Sequence, residues 1–133
     1  MNRSSTLFAL ALVVGAAGAA QAAGDPVAGE KVFHACQQCH KIGPNGSNFY
    51  GPSLNGVVNR KAGTVPGYEY SEANEKSGIV WTEDALRVYV RQPREKLPGS
   101  DMTFKGLKDP QEIEDLIAYL KQFGRDGKMI DAK

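Results

Sequence analysis

Cys36, Cys39 and His40 stand together in FHACQQCHKIG, and this stretch holds the only two cysteines of the 133-residue chain. Two thiols two residues apart with an imidazole directly after them can do three kinds of chemistry. The first is thiol-disulfide exchange, which C-x-x-C supports when it opens a helix in an α/β fold and the helix N-terminus lowers a thiol pKa. The sequence supplies no alternating strands for such a fold. The second is zinc binding, with His34, Cys36, Cys39 and His40 as possible ligands. Cys39 and His40 are adjacent, however, and a structural zinc site draws a second pair of ligands from a distant segment, of which there is none. The third is attachment of a c-type haem, for which C-x-x-C-H is the pattern. Every residue of the motif then has a use. The two thiols add across the two vinyl groups of the porphyrin from one helical turn, and His40 arrives beneath the iron as a nitrogen ligand. His34 then reads as a solvent-facing helix residue.

One histidine leaves a second axial position on the iron, and what fills it separates an electron carrier from a ligand-binding or peroxidatic haem. Of the three methionines, Met1 belongs to the extreme N-terminus and Met129 to a polar tail expected to fray. Met102 sits in KLPGSDMTFKG, where Pro98 and Gly99 force a turn that can hold one side chain against a metal. The plain alternative is a Met filling a gap in the core. As a ligand, a soft thioether favours ferrous iron and raises the reduction potential. With both axial positions filled, oxygen and peroxide are kept out, and the expected chemistry is transfer of one electron without bond-making. The competing class is an enzyme, a haem peroxidase with an open site or a thiol oxidoreductase.

The elements that must position these groups are helical. Asp25-Pro26 opens a helix with an N-cap and a proline in its first turn, running to about the cysteines. Thr82 caps a second, with Leu86, Tyr89 and Val90 on one face and Pro93 at its end. DPQEIEDLIAYLKQFG is the clearest: Asp109 caps, Glu112 offers a capping-box return, Ile113, Leu116, Ile117 and Leu120 form one stripe, and Gly124 is expected to stop it. Gly29 and Phe33 offer a notch and a plug to receive this last helix. The stretch from Gly43 to Gly67 is dense in Gly and Pro and is expected as loop wrapped around something. No segment alternates as a strand, so the chain is predicted to be all-α. Its core would be thin for its length, and a porphyrin would complete it against Leu54, Val57, Leu86, Leu97, Phe104 and Leu116.

Residues 1–22 read as a cleaved secretory signal peptide: Arg3 in a short basic start, an apolar run from Leu7 to Ala20, and the small-x-small pattern Ala20-Gln21-Ala22. The apolar run is shorter than the roughly 20 residues that cross a bilayer as a helix, so no stable membrane insertion is expected. The mature chain, 23–133, has the size of one domain. Losing Arg3 takes one of the 16 basic side chains and leaves them equal to the 15 acidic ones, which argues against a nucleic-acid partner.

With these residues in hand, Gly24 to Phe123 resembles a class I cytochrome c of the soluble mitochondrial and alphaproteobacterial type. The likeness runs through CQQCH, GPSLNGVVNR, PGYEYSEAN, GIVW, LPGSDMTFKG and DLIAYLK, in family order and with familiar spacing. It implies a small all-α cytochrome c fold, three to five helices with long loops wrapped around one covalently attached haem c, and a monomeric carrier in the periplasm. It implies thioether links at Cys36 and Cys39 and axial iron ligation by His40 and Met102. The carbonyl of Pro52 would accept the far ring N–H of His40. Arg60, Tyr70 and Trp81 would bond a buried haem propionate; Asn74, Tyr89 and Ser100 would form a polar cluster beside the Met102 sulfur; Phe104 would lie at the haem edge. The implied partners are membrane or periplasmic redox proteins: a quinol-cytochrome c oxidoreductase or a dehydrogenase as donor, and a cytochrome oxidase of a respiratory chain or a photosynthetic reaction centre as acceptor. One departure matters. Relatives commonly ring the exposed haem edge with lysines, whereas here Ala35 precedes Cys36, Glu95 follows Arg94 and Asp101 precedes Met102. Lys41, Arg94, Lys96, Lys105 and Lys108 keep some positive charge, but steering toward an acidic partner is expected to be weaker and less salt-sensitive than for a strongly basic relative.

Overall fold

The computed structural model describes residues 22–130; the signal-peptide reading falls almost wholly outside them. Five helices follow one another, α1 (Pro26–Phe33), α2 (Glu72–Lys76), α3 (Glu83–Arg91), α4 (Pro93–Lys96) and α5 (Pro110–Leu120), and among the described residues β-pairing is confined to the isolated bridges Lys61↔Val80 and Phe123↔Met129. The all-α expectation holds. No described helix is long and apolar enough to cross a membrane.

The helix starts follow their capping residues. The Asp25 carboxylate accepts from Val27 N at 2.9 Å and Asp109 from Gln111 N at 2.8 Å, each with proline next in sequence; Thr82 Oγ1 accepts from Ala85 N at 3.1 Å. These bonds satisfy amides that have no partner within the helix. The return bond expected of Glu112 is not made. Glu112 is exposed, and the neighbouring Gln111 Nε2 instead donates to Asp115 Oδ1 at 2.9 Å.

The pair α1 and α5 is the centre of the fold. A first side-chain carbon built on Gly29 would lie 1.9 Å from the carbonyl oxygen of Asp115, so the two backbones meet where only hydrogen fits. The crossing is reinforced by Asp25 N donating to the buried Asp115 Oδ1 at 2.8 Å and by Phe33 and Tyr119, ring centroids 5.4 Å apart. Ile113, Leu116, Ile117 and Leu120, the expected stripe, are all buried, and Leu86, Tyr89 and Val90 of α3 join them. Outside this core, Arg87 donates to both carboxylate oxygens of Glu114, at 2.5 and 3.0 Å, tying α3 to α5, and Lys121 pairs with Glu83 at 2.6 Å.

Helix α5 ends at Leu120, short of the expected stop. Gln122 N and Phe123 N bond back three residues, to Tyr119 O and Leu120 O, and tighten the end into a turn before Gly124 is reached. The tail expected to fray is held: Gly124 N donates to Lys128 O at 2.9 Å and Ile130 N to Gln122 O at 2.7 Å, leaving the Met129 side chain 57% exposed on an ordered strand of tail.

From residue 41 to 70 the chain is loop, as its glycines and prolines predict, and it is stitched internally. Asn55 is buried and clamps Gly43, accepting from its N at 2.8 Å and donating to its O at 3.0 Å.

Candidate functional site

After α1 the chain does not stop turning. Cys36 N and Gln37 N bond to Phe33 O at 2.8 and 3.0 Å, and Cys39 N and His40 N to Cys36 O at 3.1 and 2.9 Å. The two thiols and the imidazole are therefore presented from successive turns at the C-terminal end of a helix, the end whose dipole raises a thiol pKa rather than lowering it. Burial, helped by Cys39, pushes the Cys36 thiol up to about 11. Burial and the C-terminal helix position both oppose the thiolate at Cys36, which disfavours it as an attacking thiol. Among the described residues no three His, Cys, Asp or Glu side chains converge as a metal site.

His40 is fixed from both sides. Its Nδ1 lies 2.7 Å from Pro52 O; a carbonyl only accepts, so Nδ1 carries the proton and Nε2 keeps a free lone pair. Burial lowers its pKa, the Pro52 carbonyl opposes that and the Arg60 cation adds to it. The ring is thus neutral and able to bind a metal near pH 7. Gly51 lies beneath it: a side chain's first carbon there would come within 2.5 Å of His40 Cε1, and Gly51 N donates to Cys39 O at 2.8 Å.

Met102 is delivered by the turn after α4. Ser100 N donates to Leu97 O at 3.2 Å, Gly99 takes φ +85°, and Met102 N donates to Ser100 Oγ at 3.3 Å. Tyr89 Oη donates to Met102 Sδ at 3.3 Å, and Asn74 Nδ2 to Ser100 Oγ at 3.4 Å, so the expected polar cluster forms around the sulfur. Burial pushes the Tyr89 hydroxyl above its ordinary value, with Ser100 pulling weakly the other way, and it remains a donor.

Arg60 and Trp81 are brought together by backbone: Trp81 N donates to Arg60 O and Asn59 N to Trp81 O, both at 2.8 Å. The Arg60 guanidinium is buried, with Nη1 donating to Asn55 O at 2.6 Å and Nη2 to Ser53 O at 3.2 Å. Two of its five N–H groups donate to these carbonyls. The Tyr70 hydroxyl accepts from Val65 N at 3.1 Å. Arg60, Lys61 and Arg125 line a cleft of 750 Å³ in whose wall no carboxylate occurs, a setting suited to an acidic substituent. Phe104 and Leu54 are half-buried, while Val57, Leu86, Leu97 and Leu116 are fully buried. The sequence reading missed Gly51, Ser53 and Asn55; they stand in GPSLNG, but nothing in residue type alone showed that the backbone carbonyls of Ser53 and Asn55 hold the arginine.

These residues fit a covalently held haem. Two thiols, an imidazole with a free Nε2 and a thioether are supplied from short turns. Cys36, Leu54, Val58, Ala73, Ile79 and Met102 pack against the core and are partly buried, so apolar side chains stand beside the thiol and the thioether.

The family model described as cytochrome c matches residues 26–124. Among characterised proteins, cytochrome c2 of Blastochloris viridis is 51% identical over 121 residues, 91% of this chain and 92% of its own length, and cytochrome c2 of Rhodoblastus acidophilus is 52% identical over 105 residues, covering 79% and 98%. Among solved structures, cytochrome cH from Methylobacterium extorquens superposes with a TM-score of 0.70 at 44% identity, over 74% of this chain and 99% of that one.

Proposed function

This chain belongs to the cytochrome c family, and from that premise we propose that it is a soluble periplasmic shuttle linking a membrane quinol-oxidising complex or a dehydrogenase to a terminal oxidase or photosynthetic reaction centre. It is an electron carrier and not an enzyme, and its cofactor is one covalently bound haem c. That group, when bound, supplies an iron that alternates between the ferrous and ferric states. In this reading Cys36 and Cys39 carry the thioether links. His40, its ring oriented by Pro52, would hold the iron through Nε2, and Met102 would hold it through its sulfur. Arg60, Tyr70 and Trp81 offset the cost of burying a propionate, because charge-assisted hydrogen bonds replace the water that the carboxylate loses. Phe104 shields the edge.

The observation that carries the proposal is the Tyr89 hydroxyl 3.3 Å from the Met102 sulfur. A methionine that merely fills a gap needs no donor aimed at it; one that must stay at a metal is restrained by such a bond. Met102→Ala in the haem-loaded protein is expected to abolish the weak red-end sulfur-to-ferric-iron absorption, lower the reduction potential, and let carbon monoxide bind rapidly without denaturant. Retention of both the band and the potential would mean that another group fills the sixth position. Rapid carbon monoxide binding by the wild type would favour an open, peroxidatic site. Export with cleavage after Ala22 is part of the same proposal, and the intact mass of the periplasmic product tests it, together with the haem count.

A further inference from the structure

Phe49 and Tyr50 contribute nothing to the core, being 49% and 76% exposed. Scattered apolar residues on a surface are ordinary, but these two are built into a rigid unit. Their ring centroids lie 4.3 Å apart with planes tilted by 55°. Lys41 Nζ stands 4.7 Å from the Phe49 centroid, a cation over the ring face. The Tyr68 hydroxyl donates to Tyr50 O at 2.8 Å and pins the backbone from the side. Burial and the charge of Asp101 push the Tyr68 hydroxyl up, so this donor keeps its proton.

The place of the pair is as telling as its rigidity. Tyr50 is followed by Gly51, whose N donates to Cys39 O and whose backbone lies against the His40 ring. Phe49 N donates to Gly51 O at 2.9 Å, closing the segment on itself. Cys39 is itself exposed. A single hydrogen bond therefore joins the backbone that carries the aromatic pair to the peptide between Cys39 and His40, the two residues assigned above to the cofactor.

Resting on the electron-carrier reading, we infer that Phe49 and Tyr50 are the docking surface for the redox-partner protein, and that the partner's matching face is apolar, with a carboxylate placed to meet Lys41. An electron carrier must bring its cofactor close to another protein, and the exposed Cys39 is one of the two residues through which, on that reading, the cofactor would be attached. The mature chain's balanced charge gives long-range steering little to act on, so complex lifetime must come from short-range contact. Rigid aromatic side chains supply large contact area at small entropic cost and are the residue types that anchor interfaces. The cation held against the pair is Lys41, and a partner carboxylate is its complement.

The test uses the full haem-loaded protein as wild type, Phe49→Ser/Tyr50→Ser, and Tyr50→Phe. Each is reacted with a detergent-solubilised bacterial quinol-cytochrome c oxidoreductase, a purified bacterial cytochrome oxidase, and ferricyanide as a small oxidant that needs no docking. The double variant is expected to lose about tenfold in second-order rate with the protein complexes, at low and high ionic strength alike. Its potential, melting temperature and ferricyanide rate should match wild type, and Tyr50→Phe should stay within about twofold. A double variant that equals wild type with both complexes at every ionic strength overturns the docking surface and leaves the carrier reading intact. Wild-type protein that reacts with ferricyanide but with neither complex overturns the carrier reading, and the docking surface falls with it. If sedimentation shows a wild-type dimer that the double variant lacks, the pair belongs to self-association and the partner assignment is wrong.

Discussion

The Met102 sulfur is the atom whose surroundings say most about redox poise. Tyr89 donates to it at 3.3 Å and is itself packed against Trp81, centroids 4.6 Å apart. With Met102 as the proposed iron ligand, a hydrogen bond to the thioether would withdraw electron density, make the sulfur a poorer donor to ferric iron and so favour the ferrous state. Tyr89→Phe keeps the ring and its packing and removes only that bond, so the potential should fall. A neutral hydrogen bond contributes about 0.5–1.5 kcal/mol, and a one-electron couple moves ~59 mV per tenfold change in its equilibrium. The decrease should therefore not exceed about 60 mV, with the red-end band retained. Protein-film voltammetry measures it, and a rise in potential would show that the hydroxyl acts on the site in the opposite sense. At this scale the sequence was informative wherever residue type dictates chemistry. Cys36, Cys39, His40 and Met102 could be picked out because few other residues can bind or attach to a metal centre. What it concealed were groups acting through the backbone: the Gly51 surface under His40 and the Ser53 and Asn55 carbonyls that hold Arg60.

Among the helices, stability is concentrated where α1 crosses α5. The contact at Gly29 admits no side chain, since the obstacle at 1.9 Å is a carbonyl oxygen and not the movable end of a side chain. Gly29→Ala would ordinarily favour a helix interior, by about 1 kcal/mol, and here it should instead cost about 3 kcal/mol or more by forcing the helices apart. Chemical denaturation of the haem-loaded variant checks the sign; a stabilised variant would show that the two helices can slide without loss. The notch was legible beforehand from Gly29 and Phe33 on one face, as were the starts of α1, α3 and α5 from Asp25, Thr82 and Asp109. The short helices α2 and α4 were not, because four or five residues are too few for an apolar period to show. Ser71, which caps α2 by accepting from Asn74 N at 3.3 Å, was the one available signal. The end of α5 was missed for a related reason: a glycine marks where a helix must stop, and this one tightens into a turn before reaching it.

At the scale of the whole molecule, the helices account for less of the chain than the loops, and the loops are held by sparse contacts. Asn55 clamps Gly43, Arg60 is tied to Asn55 and Ser53, and a single bridge joins Lys61 to Val80. The need for something inside them was readable from composition, as glycine and proline over residues 43–67 with too few apolar residues nearby to make a core. How the loops fold was not readable, since their geometry is set by hydrogen bonds between residues distant in sequence. The buried side chains divide accordingly. Ile113, Leu116, Ile117, Leu120 and Phe33 are buried where α1 crosses α5, whereas Leu54, Val58, Ala73, Ile79 and Met102 are only partly buried against that core. Hydrophobic stabilisation scales with area removed from water, and the second group removes its area only when the cofactor covers it. Cys36→Ser/Cys39→Ser, which leaves nothing to attach through, should therefore lose the cooperative melt and much of the α3 and α2 helical signal while α1 and α5 retain residual structure, the pattern of a collapsed but unpacked chain. Far-ultraviolet circular dichroism with amide hydrogen exchange reads both parts, and a double variant that melts as sharply as the haem-loaded protein would show that the polypeptide folds without its cofactor.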